Sequence, residues 1–291
     1  MNSLCRCIEY PTWRGTLKLI IIFILIAVIY PTVYDKVKEN RLKNESTRDT
    51  TDEPVVKIVE VEKENPCPIP ALQNFTQFRD AVTTIEMGCQ KTKMFGRSSS
   101  RRNICLDEKF NINRTNCLAF SFGINYDFSF EDSLGKFGCK VFAYDPTMKR
   151  KDHQRSKNVR FIATGISNYD GKKVVGMGKH WVSRKVNRFE NLVKEAGMEG
   201  KPIDVVKLDV ELSEVDFMQD MLFNSRHVLK NIKQIAMEIH SDMNKKDVSQ
   251  ITSHQVFWPY LNLMRCAGFK ILFSRSGGRW REVVFGQDKQ W

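Results

Sequence analysis

The sequence predicts an α/β domain with a mostly parallel sheet and an antiparallel hairpin near its carboxyl end. Residues 117–146 hold an apolar run, a glycine-bearing turn, an amphipathic stretch, a second apolar run and then Asp145. Further apolar runs alternate with helical patterns as far as residue 268, and two strand-like runs joined by a glycine-containing loop follow. This alternation is typical of βαβ units that build a parallel sheet.

Periodicity and end signals define the individual elements. Short apolar runs predict strands at residues 117–122, 140–144, 159–163, 203–210, 232–239, 269–274 and 280–285. Apolar residues recurring every three or four positions predict helices around residues 75–89, 129–137, 186–196, 213–221 and 256–267. A short returning strand is predicted at 172–175. Residues 66–291 are therefore one domain, in which 66–116 form an N-terminal cap.

The turn at Gly123 and the acid at Asp145 indicate a ligand site. A turn without a Cβ lets the backbone approach a ligand, and a carboxylate at the tip of the next strand can accept both ribose hydroxyls. A dinucleotide site would need GxGxxG, whereas this turn reads FGINYDFSFED, whose acids oppose a phosphate. A ligand with ribose but no phosphate fits better, and S-adenosylmethionine is the common one. The alternative is an ordinary strand–helix pair in which Asp145 starts a turn.

The first 65 residues are not globular in pattern. Residues 16–34 form an apolar run whose only charge is Lys18, long enough to span a bilayer. We predict a retained transmembrane helix rather than a cleaved signal peptide, with residues 1–15 cytosolic and 35–65 a charged stalk. Sequons at Asn44, Asn74 and Asn113 all follow the span. The expected topology is single-pass type II, with 66–291 in the lumen of the endoplasmic reticulum or Golgi.

The cysteines and the net charge are also interpreted with this lumenal topology in mind. Six cysteines follow the predicted span, at positions 67, 89, 105, 117, 139 and 266, and an even set predicts disulfides, chiefly within the cap. Cys117 and Cys139 lie in or beside core strands and could instead be buried thiols. The net charge of +12 would suggest nucleic acid in a soluble protein, but the predicted topology turns the basic residues to the lumen. We expect a solvated basic surface and no nucleic acid, with the RSSSRR run at 97–102 in a loop.

Four segments carry a family resemblance: SFGINYDFSFEDSL, VFAYDPT, IDVVKLDVELSE and QIAMEIH, in this order. They resemble the methyltransferase-like family of single-pass membrane proteins and, more distantly, the FkbM-type sugar O-methyltransferases, over roughly residues 66–285. The resemblance implies a seven-stranded, Rossmann-like methyltransferase sheet with S-adenosylmethionine as cofactor. It also implies a cofactor loop at Ser121, Gly123 and Asn125, a ribose ligand at Asp145, and a methyl-transfer cleft at Asp209 and Glu211.

Two pairs of polar residues follow neighbouring strands. Alternation along a strand places Glu238 and His240 on one face and Asp209 and Glu211 on one face, so the pairs could converge. His240 is the candidate general base because its neutral form is expected near pH 7, and Glu238 and Glu211 are the further catalytic candidates. The set could instead hold a divalent metal through oxygen ligands, although no metal ligand is assigned. Glu238 and His240 could also be only a structural hydrogen-bonded pair.

Three functions remain open at this stage. The first is a lumenal S-adenosylmethionine-dependent methyltransferase acting on a hydroxyl acceptor such as a glycan. The second is an inactive methyltransferase-fold protein that binds a partner or an acidic glycan. Leu212 favours it, because the related pattern LDVEGSE has glycine there and a side chain is expected to crowd the cofactor or oppose a positive φ. The third is a glycosyltransferase, which the anchor–stalk–domain layout suggests and the lack of a DxD pair in the sequence disfavours.

Overall fold

The structure is a computed structural model that describes residues 67–177, 180–241, 243 and 253–289. The predicted cytosolic tail, transmembrane helix at 16–34 and stalk lie outside these residues. Among the residues described, no helix is long and apolar enough to cross a membrane. Residues Asn65–Trp291 form one compact unit.

Thirteen strands and six α-helices occur in the described part of the chain. The strands are β1 (Thr92–Phe95), β2 (Arg102–Cys105), β3 (Leu118–Phe122), β4 (Lys140–Tyr144), β5 (His153–Gln154), β6 (Val159–Ile162), β7 (Gly165–Ile166), β8 (Gly171–Met177), β9 (His180–Asn187), β10 (Ile203–Leu208), β11 (Ile232–Ile239), β12 (Phe269–Ser276) and β13 (Arg281–Gln287). The helices are α1 (Phe75–Thr83), α2 (Ser129–Phe137), α3 (Phe189–Glu195), α4 (Ser213–Phe223), α5 (Arg226–Leu229) and α6 (Ser253–Cys266).

The central sheet has the strand order β12-β13-β11-β10-β3-β4-β6-β5. Strands β11, β10, β3, β4 and β6 run parallel, whereas β13 is antiparallel to both β11 and β12, and β5 is antiparallel to β6. The predicted antiparallel C-terminal hairpin is confirmed. The predicted seven-stranded, mostly parallel sheet is corrected to a mixed sheet of eight strands, because β5 adds an edge strand and β13 inserts between β11 and β12.

The segment before α3 differs from the prediction. Residues expected to begin a helix at Val186 instead continue strand β9, which pairs antiparallel with β8 and parallel with β7. Val186 lies opposite Gly165 on one side and Gly171 on the other, so its backbone joins two ladders and its buried side chain packs as a strand residue. The helix begins only at Phe189, and Gly197 with φ +67° follows its end.

Aromatic side chains fill one face of the central strands. Phe120 on β3 stacks on Phe142 of β4 with ring centroids 5.3 Å apart, and Phe122 stacks on Tyr144 at 4.9 Å. Phe189 of α3 packs edge-on against Phe120 at 5.3 Å. These cross-strand pairs fix the register of β3 and β4, and therefore the relative positions of the loops that follow them.

All six cysteines in the described residues are paired, as Cys67–Cys266, Cys89–Cys105 and Cys117–Cys139. The prediction of disulfides is confirmed, and the pair within the cap is Cys89–Cys105. The alternative of buried thiols at Cys117 and Cys139 is wrong. These residues directly precede the neighbouring strands β3 and β4, and the ladder brings their Cα atoms to 4.2 Å.

Candidate active site

A cavity of about 610 Å³ opens at the carboxyl ends of β3, β4 and β10. The chain leaves β3 towards β4 on one side, whereas β10 lies on the other side, so the cavity sits at a switch point of the sheet. The charged side chains among its described lining residues are four acids and one lysine: Asp127, Asp145, Asp209, Glu211 and Lys173. Lys173 is paired with Asp216 at 2.6 Å. The lining therefore suits a cationic ligand better than a phosphate.

The loop after β3 has an unusual backbone. Gly123, Asn125 and Tyr126 have φ values of +78°, +43° and +67°, and all three line the cavity. A Cβ on Gly123 would lie 1.7 Å from the backbone oxygen of Asp209. The glycine was expected to let the backbone approach a ligand; instead it lets the end of β3 approach the end of β10. The positive φ values of Asn125 and Tyr126 are strain of the kind that collects at ligand loops.

Asp145 holds this loop in place. Its Oδ2 accepts hydrogen bonds from the backbone N–H groups of Ile124 and Asn125, both at 2.9 Å. Its Oδ1 accepts from the backbone N–H of Thr147 at 2.8 Å and from the Thr147 hydroxyl at 2.6 Å. Four donors thus occupy the carboxylate, so in this state Asp145 organises the turn, as the simpler alternative proposed. Its role as a ribose ligand stays a prediction.

Ser121 does not line the cavity. Its side chain is fully buried on β3, and its hydroxyl donates to Oε1 of Glu131 on α2 at 2.5 Å. Burial raises the pKa of Glu131, and the nearby charge of Lys207 partly opposes this shift. Lys207 on β10 donates to the backbone oxygen of Gly123 at 2.5 Å. Instead of the predicted cofactor contact, Ser121 forms a buried hydrogen bond with Glu131. The neighbouring hydrogen bond from Lys207 to Gly123 holds the start of the loop after β3.

Four predicted site residues meet next to the cavity. We call Asp209, Glu211, Glu238 and His240 the carboxylate–histidine cluster. The Nε2 atom of His240 lies 3.7 Å from a carboxylate oxygen of each of the three acids. Its Nδ1 atom is 2.8 Å from Oε1 of Glu214, which is fully buried and also accepts the backbone N–H of Val210. The convergence that strand alternation predicted is confirmed.

The electrostatics of His240 differ from the prediction. Burial alone lowers its pKa, but the hydrogen bond to Glu214 and the charges of Glu214, Glu211 and Asp209 outweigh burial and raise the pKa to about 9. Its ring is therefore mostly charged at pH 7 without a ligand, and the expected supply of neutral imidazole near pH 7 is wrong for this arrangement. Burial and then the charge of Asp209 raise the pKa of Glu238.

Arg102 is a functional residue that the sequence reasoning missed. It is the last residue of the basic run at 97–102 and the first residue of β2. Its side chain is fully buried. Its Nη2 donates to Oε1 of Glu238 at 2.7 Å and to Oδ2 of Asp209 at 3.3 Å, and Nη1 lies 3.5 Å from Glu282. Neither periodicity nor spacing marked it, because a run of charged residues is typical of a loop.

Leu212 adopts the conformation that its side chain was expected to oppose. Its φ is +76°, and the preceding Glu211 has φ +50°. The Leu212 side chain is 52% exposed, and it is not among the residues that line the cavity. Whether it crowds a bound cofactor stays a prediction. The positive φ of Leu212 strains the turn locally, and glycine would adopt this conformation more readily.

A second cavity of about 290 Å³ shares Ser99 with the first as a lining residue. Glu238 of the cluster lines it together with Arg275, Arg101 and the half-exposed Trp280. The two cavities share Ser99, and the cluster contributes Asp209 to the first and Glu238 to the second. The cluster is therefore placed to serve ligands in both.

An α/β sheet with a cavity at its switch point is typical of the α/β proteins that bind a ligand at the carboxyl ends of their strands. The family can be named more narrowly. A family model described as a methyltransferase domain matches residues 56–273, which is more than half of the chain. The chain therefore belongs to this methyltransferase-domain family.

Curated relatives agree with the family. The chain is 28% identical to "Probable methyltransferase-like protein 24" of Homo sapiens over 195 residues, covering 62% of this chain and 51% of that protein. It is 27% identical to the Rattus norvegicus protein of the same name over 161 residues, covering 53% and 43%. The chain thus spans about half the length of the curated relatives it matches.

Solved structures are similar only at a low level. One is a putative hemolysin from Streptococcus thermophilus, with a TM-score of 0.35, 13% identity, and coverage of 62% of this chain and 63% of that one. Another is TrmK of M. capricolum in complex with S-adenosyl-homocysteine, with a TM-score of 0.30, 9% identity, and coverage of 64% and 68%.

Proposed function

We propose that this methyltransferase-domain protein binds S-adenosylmethionine in the larger cavity and methylates a hydroxyl group presented from the smaller one. The observation that carries this proposal is the shared cluster: Asp209 lines the first cavity and Glu238 lines the second. The cavity volume of about 610 Å³ lies within the usual range for cofactor sites. Its acidic lining suits a cofactor that carries positive charge.

The residues present fit this cofactor. Asn125 and Tyr126 on the strained loop, Asp127, and Asp209 at the end of β10 would hold it, through backbone groups and carboxylates that face the cavity. When bound, S-adenosylmethionine supplies a methyl group that its sulfonium makes electrophilic. The protein then has to orient the acceptor oxygen, exclude water and remove one proton.

Glu211 is the proposed proton acceptor. Asp209 and Glu238 are tied to Arg102, whereas Glu211 forms no hydrogen bond with any described residue, and its side chain is 87% exposed. It lines the larger cavity, so it can turn towards the acceptor. His240 keeps its ring fixed against Glu214, which favours a positioning or electrostatic role over general-base catalysis.

The smaller cavity supports a glycan as the acceptor class. Trp280 offers an aromatic face, and Arg101, Arg275 and Glu238 offer polar groups that can contact hydroxyls. Gly277 lies against the indole of Trp280, where a Cβ would approach Nε1 to 2.1 Å, so the loop backbone holds the ring. An aromatic platform bordered by charged groups suits a sugar better than a purely apolar acceptor.

We further propose that the domain works in the secretory lumen as a single-pass membrane protein. Three disulfides support an oxidising compartment, and the sequon residues Asn74 and Asn113 are both exposed. The apolar run at 16–34 is the proposed anchor. Protease treatment of sealed microsomes should leave the domain intact, and its complete digestion would contradict this topology.

The test of the reaction is transfer of labelled methyl from S-adenosylmethionine to a panel of oligosaccharides by the full chain. Glu211→Gln should lower kcat by roughly 10²–10⁴-fold, a much larger effect than any loss of cofactor affinity from removing one of the four acids in the lining. Glu108→Gln is the matched control, because this side chain is 94% exposed and, among the described residues, pairs with Lys91 alone. Unchanged turnover in Glu211→Gln would contradict the role of Glu211. Absence of product from all hydroxyl acceptors would contradict the acceptor class.

The inactive alternative loses its main support. It was favoured by Leu212, whose side chain is not among the residues lining the cavity. No second function is therefore carried forward.

A further inference from the structure

The carboxylate–histidine cluster has ligand atoms arranged around one point. One ligand atom from each of Asp209, Glu238 and His240 lies within 4.8 Å of the other two. Nε2 of His240 is 3.7 Å from Oδ1 of Asp209 and from Oε2 of Glu238, which is too long for a hydrogen bond. Ligands bound to one ion at about 2.0–2.2 Å lie roughly 3 to 4 Å apart, depending on the angle between them. The two nitrogen–oxygen separations of 3.7 Å match that spacing.

Arg102 divides the oxygens of the two acids. Its Nη2 donates hydrogen bonds to Oδ2 of Asp209 and Oε1 of Glu238. The other oxygens, Oδ1 of Asp209 and Oε2 of Glu238, are the ones that face His240. Glu238 is 5% exposed; Arg102 binds its Oε1, and its Oε2 forms no hydrogen bond with any residue that the structure describes. This carboxylate lines the smaller cavity, so a ligand can reach it.

Glu214 fixes the orientation of the imidazole from outside the cluster. It faces Nδ1 of His240 at 2.8 Å, and Val210 anchors the same Glu214 oxygen at 2.8 Å. This leaves Nε2 directed at the two facing oxygens. A histidine that binds a metal through one nitrogen usually donates its other N–H to a carboxylate in this way.

We propose that Asp209, Glu238 and His240 bind a divalent first-row transition-metal ion. One imidazole nitrogen with two carboxylate oxygens is a donor set for ions such as Mn²⁺ or Zn²⁺, whereas Ca²⁺ takes six to eight oxygen ligands. Asp209 borders the larger cavity and Glu238 the smaller one, so the ion's remaining coordination positions would face the acceptor. An acceptor hydroxyl bound there becomes more acidic, which makes its proton removable by Glu211.

The ion site rests on these contacts alone, and only its role in activating the acceptor rests on the proposed function. The test is calorimetric titration of the metal-stripped full chain with Mn²⁺ and with Zn²⁺. We expect one saturable site per chain, not displaced by an excess of Ca²⁺. Asp209→Asn and Glu238→Gln should each weaken binding at least tenfold, as should Glu214→Gln, which removes the charge facing Nδ1. Glu108→Gln should bind like the parent protein.

Two results would overturn the ion site. One is no saturable binding at millimolar Mn²⁺ or Zn²⁺ by a sample that circular dichroism shows to be folded. The other is unchanged affinity in both Asp209→Asn and Glu238→Gln, each checked for folding in the same way. Separate titration with S-adenosylmethionine distinguishes the two proposals. Cofactor binding without ion binding removes only the ion site, and ion binding without cofactor binding removes only the proposed function.

Discussion

The end of β3 and the end of β10 meet where Gly123 would place a Cβ 1.7 Å from the backbone oxygen of Asp209. Asp209 N–H also donates to the backbone oxygen of Phe122 at 3.1 Å, so this approach is part of the sheet. The loop after β3 and the carboxylate–histidine cluster are therefore joined through one glycine. A change at this position should affect the fold before it affects any ligand.

Gly123→Ala should destabilise the domain by about 3 kcal/mol or more, because the Cβ collides with backbone and φ is +78°. Gly200→Ala is the matched control, since Gly200 has φ +71° but no atom within 4 Å of a Cβ. It should cost only about 1 kcal/mol. Urea unfolding of both variants measures the difference, and equal costs would refute the close approach of β3 and β10.

Asp145→Asn should lower the stability of the ligand-free protein by about 1–3 kcal/mol, because an amide nitrogen replaces an oxygen that accepts two hydrogen bonds. Asp152→Asn is the control: Asp152 is exposed and accepts one bond, from Ala163. Thermal unfolding without ligand gives the comparison. A residue that only held ribose would leave the ligand-free stability unchanged, and that result would contradict the turn-organising role.

Leu212→Gly should stabilise the domain by about 0.5–1 kcal/mol. The gain from relieving the positive φ, about 1–2 kcal/mol, exceeds the entropy that glycine adds to the unfolded chain. Leu212→Ala keeps the strain and should show no such gain. Both free energies of unfolding come from the same chemical denaturation experiment. A Leu212→Gly variant less stable than Leu212→Ala would show that the exposed leucine makes contacts that matter.

Glu131 should make stability depend on pH. Burial raises its pKa above the ordinary 4.5, so between 4.5 and the folded value the native state keeps a proton that the unfolded chain has lost. The free energy of unfolding must then fall as pH rises through that window, by up to about 1.4 kcal/mol per pH unit. Glu131→Gln should remove this slope, whereas the surface control Glu108→Gln should retain it. Identical slopes for the parent protein and Glu131→Gln would contradict the shift.

Apolar runs were sufficient to predict seven of the eight strands of the central sheet, and only the short edge strand β5 was missed. The bounds of β4 and β11 match the predicted strands at 140–144 and 232–239, because both are buried and bounded by polar or turn residues. Alternation also predicted that Asp209, Glu211, Glu238 and His240 would converge. The β8–β9 hairpin was largely missed: β8 was only partly anticipated at 172–175, and Val186 fits a helical pattern as well as a strand.

The missed features depend on contacts between distant residues. Arg102 follows five residues of a charged, serine-rich run, and only the fold carries it under the cluster, against Glu238 136 positions away. Cys117 and Cys139 resembled core residues until strand pairing placed them side by side. The pKa of His240 depends on Glu214, which belongs to a different element of the fold. Local pattern carries none of this information.

The most direct test of the central claim is calorimetric titration of the full chain with S-adenosylmethionine, on protein shown by mass mapping to contain the three disulfides. We predict one saturable site per chain, with competition by S-adenosyl-homocysteine, because four acids line the cavity at the ends of β3, β4 and β10 and would attract a cationic nucleoside. The absence of any binding heat at millimolar cofactor, from a folded sample, would contradict that claim.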